Sequence, residues 1–97
     1  MPERNTIRTE VVAKLNAVNG TKSNPKPVTD DDSGEKLILW EDLGMPSGAK
    51  KLMAVPYTKI SRHYEGLGVS QADANRCETV KDSVDLVHRR ANNIKKP

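Results

Sequence analysis

Phenylalanine is missing from this chain altogether, and Trp40, Tyr57 and Tyr64 are its only aromatic residues. Large rings normally dominate the buried area of a core, so a core here has to be assembled from aliphatic side chains. Cysteine occurs once, at Cys77, which excludes an internal disulfide and a zinc site built on several thiolates of one chain. No apolar run approaches the ~18 residues that a membrane span needs, and the opening MPERNTIRTE has no apolar block of the kind a secretory signal carries. The expectation is a cytoplasmic protein with no membrane partner, for which the glycosylation pattern Asn19-Gly20-Thr21 is idle.

What is present is a 97-residue chain of which 35% is hydrophobic, enough for one modest core. Marginal stability, or stability borrowed from a partner, is expected. The net charge of +3 is sorted along the chain. Residues 1–29 carry five basic and two acidic groups, residues 30–42 one and six, and residues 43–97 ten and five. An acidic stretch therefore separates two basic parts, a pattern of a solvated surface or of attraction to a polyanion.

Ile7, Val11, Leu15 and Val18 recur at helical spacing before Asn19-Gly20, which predicts a helix over about residues 4–18. Residues 20–35, GTKSNPKPVTDDDSGE, read as a flexible acidic linker whose one large apolar side chain is Val28. Asp30, Asp31 and Asp32 open like a calcium loop, but the alternation, glycine and terminal glutamate of such a loop are absent. Lys36–Trp40 (KLILW) and Lys51–Val55 (KLMAV) are short apolar runs bounded by turn residues, the pattern of two strands joined as a long hairpin. Pro56 suits the first turn of a helix, and Tyr57–Glu65 reads as a short helix stopped near Gly66 or Gly68. Ser70 with Asp73 makes a capping start for a long helix. Along it Cys77, Val80, Val84, Val87, Ala91 and Ile94 repeat at spacings of three and four, the narrow seam of a coiled coil. The seam packs either on this chain's own sheet or on a second copy or partner helix, with Leu86, Val87 and Ile94 as the candidate partner interface.

The expected architecture is thus α+β: an N-terminal helix at 1–19, mobile or loosely docked, then a linker at 20–35. A small domain at 36–97 follows, with a two-stranded β-hairpin, a short helix and a long amphipathic C-terminal helix. A lone hairpin is not stable, so the long helix should cover it or the protein should oligomerise.

Catalytic chemistry finds little to stand on. Gly44–Lys50 has one residue too few between its glycines for a phosphate loop and is followed by Lys51 instead of a hydroxyl residue. Cys77 and His88, eleven residues apart in one straight helix, would be about 16 Å from each other, beyond hydrogen-bond reach. His63 and His88 have no metal-ligand spacing with Cys77. The carboxylates cluster in the acidic stretch, where nothing buried would shift their pKa. The expectation is a protein that is not an enzyme and takes no cofactor or metal.

One local motif points to a partner. In Ile60–Cys77 the string Leu67-Gly68-Val69-Ser70-Gln71, followed by Asn75-Arg76, resembles the helix-turn-helix segment of small phage and plasmid regulators. The resemblance implies that the glycine allows the turn, that leucine and valine lock the two helices, and that Ser70, Gln71, Asn75 and Arg76 meet phosphates and base edges. Tyr64, Ala74 and His63 depart from the family pattern, standing where small, branched and apolar residues are usual. Around this segment Arg62 and the basic tail Arg89, Arg90, Lys95 and Lys96 would add phosphate contacts. The leading expectation is a nucleic-acid-associated regulator. The alternative is a virion assembly protein, or a phage-type inhibitor that docks on a protein partner.

Overall fold

A computed structural model of the chain describes residues 2–19 and 27–92. These residues form α1 (Arg4–Asn19), α2 (Asp32–Glu35), α3 (Ser47–Leu52), α4 (Ala54–His63), α5 (Gln71–Arg76) and α6 (Val80–Ala91). No strand occurs among the described residues, so the expected α+β fold with its β-hairpin is corrected to an all-helical one.

α1 follows its periodicity: Ile7, Val11 and Leu15 are buried, Val12 joins them, and Val18 is turned partly outward. This stripe packs on α6 and α4, so the N-terminal helix is part of the core and not a loosely docked appendage. Residues 20–26 of the expected linker lie outside the described residues; in the rest of it Asp31 caps α2 by accepting from the Gly34 amide at 2.9 Å, and Val28 is buried.

The two strand candidates fail in different ways. A short apolar run does not by itself separate a strand from a helix. In Lys51–Val55 the buried residues are the neighbours Met53 and Ala54, with Leu52 and Val55 exposed, a helical arrangement that closes α3 and opens α4. Pro56 sits in the first turn of α4, where its missing amide costs nothing. Lys36–Trp40 is partly extended, but its partner is the other end of the chain. The Leu39 amide donates to the Glu78 carbonyl at 2.8 Å and the Val80 amide to the Leu37 carbonyl at 3.0 Å, around a single antiparallel bridge between Ile38 and Thr79.

That pairing coincides with the interruption of the expected long helix. α5 ends at Arg76, Cys77 is extended, and α6 starts afresh with a capping box: Thr79 accepts from the Asp82 amide while the Asp82 carboxylate accepts from the Thr79 amide. The three-and-four spacing runs through the break, which is why the periodicity conceals it. The described seam residues Cys77, Val80, Val84, Val87 and Ala91 are all buried against α1, α4 and α5. Tyr57 is the one aromatic ring fully inside this core, and its hydroxyl donates to Ser83 at 2.9 Å. The α4–α5 connection closes on α6. The Leu67 amide donates to the Arg90 carbonyl at 3.0 Å, and a Cβ on Gly66 would lie 2.4 Å from that oxygen. Only glycine fits there.

Three substitutions test these assignments. Leu15→Ala should cost ~2–5 kcal/mol in urea unfolding, whereas Lys14→Ala, on the exposed side of α1, should stay within ~0.5 kcal/mol. A free helix α1 would leave the two alike. Thr79→Ala should cost about 1 kcal/mol through loss of the α6 cap; no loss would mean that the helix runs through Thr79.

Candidate nucleic-acid interface

The charge pattern of the folded chain is set first by what neutralises the acidic stretch. Arg4 and Arg8 lie one helical turn apart on α1 and both reach the Glu35 carboxylate, Arg8 at 2.8 Å. Arg4 also bonds Asp85 at 2.8 Å and Arg8 bonds Asp30 at 2.9 Å. Thr9 donates to the second Asp30 oxygen, and the Asn16 side chain pairs with both backbone groups of Val28. The acidic segment is thereby laced along α1. Glu35 is buried, and its carboxyl falls to about 2, chiefly through the Arg4 hydrogen bond and then that of Arg8, against the opposing effect of burial. The expectation that no acidic group here has a shifted pKa is corrected by this residue.

Positive charge without an ion pair among the described residues includes Lys14 on α1 and Lys36 after α2, and more of it lies on the later helices. Among the described residues Lys51 on α3, Lys59 and Arg62 on α4, and Arg89 on α6 form no ion pair. Arg62 is exposed, with its guanidinium beside Gly68 in the turn that leads to α5. Gly68 has no positive φ, and a Cβ there would meet Arg62 only at 3.5 Å, so the glycine requirement of this turn falls on Gly66. Ser70 caps α5 by accepting from the Asp73 amide at 3.1 Å, and Gln71 is exposed at its start. Thr58 holds Val69 by both backbone groups, fixing the entry to α5.

In the first turn of α5, Asp73 gathers two predicted residues: Arg76 at 2.9 Å and Arg90 at 3.0 Å. Its carboxyl is lowered, first by the Arg90 hydrogen bond. Arg76 and Arg89 line one open cleft of about 260 Å³ with Asp73, Asp82 and Asp85. Arg76 projects into solvent, whereas Arg90 ties α6 to α5. Asn75 is partly committed, its side-chain oxygen accepting from Ser47 of α3 at 2.7 Å. Ser70 and Gln71 thus open α5, with Arg62 beside Gly68 just ahead of them and Arg90 on Asp73 in its first turn, while Arg76 closes the helix and shares a cleft with Arg89, about 9 Å further along. Leu86 and Val87 are buried in the core, Leu86 at the floor of that cleft. Ile94, Lys95 and Lys96 lie outside the described residues.

Cys77 is buried with its thiol on the Asp73 carbonyl, and burial raises its pKa, the opposite of what a nucleophilic thiolate requires. With the helix broken after Arg76, the single straight helix assumed for Cys77 and His88 does not exist. Among the described residues no three His, Cys, Asp or Glu side chains are grouped to hold a metal ion, and no helix is long and apolar enough to cross a membrane. Two features escaped the sequence reading. The Arg4–Arg8–Glu35 cluster left one trace, arginines four apart on a helix. Trp40 left none, being placed in an apolar run that the strand reading would bury.

No protein-family model, curated protein sequence or solved structure matches this chain.

The Glu35 arrangement fixes a pH response. A carboxyl held near 2 in the fold and near 4.5 when unfolded contributes stability above pH 4.5 that is lost as the pH falls through 2. Asp31 and Asp73, also lowered, act in the same direction. Urea midpoints should therefore fall between pH 4.5 and 2, and Glu35→Gln should be less stable at pH 7 with a shallower fall. An equal slope in the variant would contradict the arrangement.

Proposed function

We propose that this chain is a non-catalytic nucleic-acid-associated regulator whose contact surface is α5 with its flanking arginines. The observation that carries the reading is the sorting of charge: Arg4 and Arg8 of α1 hold Asp30, Asp32 and Glu35 of the acidic stretch, and Lys51, Lys59, Arg62 and Arg89 have no ion-pair partner among the described residues. Phosphate attraction of this kind supplies the sequence-independent part of nucleic-acid affinity. The exposed Gln71 and Arg76 are the side chains suited to base edges. α5 has fewer than two turns, so readout is limited to a few positions, and the 60–77 stretch that resembles a helix-turn-helix segment is the part that makes it.

The test is fluorescence anisotropy of a labelled duplex over a salt series. Micromolar binding should weaken steeply with salt, and Arg76→Ala should cost ~1–3 kcal/mol, more than Lys96→Ala. Absence of binding at low salt sinks the regulator reading and leaves docking on a protein partner, as an assembly component or inhibitor, as its replacement.

A further inference from the structure

The segment between α2 and α3 buries Leu39, Leu43 and Met45 yet leaves Trp40, the only tryptophan, 61% exposed. Leaving the largest apolar side chain in water forgoes burial energy, and tryptophan is the residue most enriched among the anchors of protein interfaces. Trp40 stands beside an open groove of about 450 Å³ whose apolar lining is Ile38, Met45 and Pro46. The groove is preformed by main-chain bonds: Leu39 to Glu78 at 2.8 Å, Met45 to Leu39 at 2.9 Å and Gly44 to Trp40 at 2.9 Å. A site already held in shape binds without the cost of ordering its loop.

The charges around it select the occupant. Glu41 and Glu78 line the groove and form no ion pair among the described residues. The third charged residue, Lys50, turns its ammonium to the Cys77 carbonyl at 3.1 Å. In a chain of net charge +3, this apolar surface is thus flanked by two carboxylates against one ammonium that is held on a carbonyl, which leaves it net acidic. We infer that the Trp40 groove is a docking site for a segment of a protein partner that offers a bulky apolar side chain next to a lysine or arginine. The apolar side chain fills the space between Trp40, Ile38 and Met45, and the cation meets Glu41 and Glu78. The same carboxylates disfavour a nucleic-acid strand stacking its bases on Trp40, because its phosphates would meet like charge. The inference does not rest on the nucleic-acid reading, none of whose residues lines this groove.

The experiment is selection of a displayed random dodecapeptide library on the full-length chain, followed by anisotropy of the best labelled peptide. Recovered peptides should pair a bulky apolar residue with Lys or Arg. Their affinity should drop at least tenfold in Trp40→Ala and in the double variant Glu41→Lys/Glu78→Lys, and stay unchanged in Arg62→Ala. The charge-reversal variant carries the test if Trp40→Ala does not fold. Failure to enrich any peptide, enrichment of acidic sequences, or equal binding to Trp40→Ala overturns the inference. So does quenching of Trp40 by an oligothymidylate, or a self-association that Trp40→Ala abolishes, either of which assigns the groove to a different occupant.

Discussion

Glu35, held between Arg4 and Arg8, is the contact on which the rest of this small structure depends. It joins the start of the chain to the residue at which the acidic segment turns into its central part. A buried carboxylate is tolerable only if its charge is compensated, and here two guanidinium groups one turn apart compensate it. With Asp30, Asp85, Thr9 and Asn16 adding bonds, α1 is fixed in place, and its aliphatic stripe then covers α6 and α4. The scarcity of aromatic residues makes this coverage necessary: Tyr57 is the only ring fully inside, so most of the core comes from Val, Leu, Ile and Ala contributed by every helix except α3 and α2.

A second constraint is the pairing of residues 37–39 with 78–80. It accounts at once for the two largest departures from what the sequence leads one to expect. The extended stretch near Ile38 needs a main-chain partner, and it finds one not in residues 51–55 but in the gap between α5 and α6. The periodicity of α1 and of the seam at Val80, Val84 and Val87 was legible because burial of one helix face leaves a repeat in the sequence. So was the Ser70 cap, a local interaction. The Thr79–Asp82 box had an equally local signal, yet the apolar spacing on both sides happened to stay in register and overrode it. The helical state of residues 51–55, where a strand was expected, was illegible in principle, since four or five apolar residues in a row carry no period.

Electrostatics followed the same division between local and tertiary information. Blocks of charge can be counted along the chain, but their neutralisation cannot, because Arg8 and Glu35 meet only once α1 and α2 are folded together. That meeting ties Glu35, Asp30 and Asp32 of the acidic block to α1, and the predicted residues separate by role. Arg90 and Asn75 are engaged in holding helices together, Leu86 and Val87 are core, and Arg62, Gln71 and Arg76 are left to solvent. Trp40 is the counterpart on the apolar side, a residue whose exposure no local pattern announces.

The most direct measurement of this sorting of charge is the change in backbone amide and indole NMR signals when a short duplex is added to the isotope-labelled chain. Perturbations at Arg62, over residues 68–76 and at Arg89, with α1, residues 28–35 and the Trp40 indole unmoved, are the expected result. Perturbations concentrated on α1 and the acidic segment, or on the Trp40 indole, would contradict it.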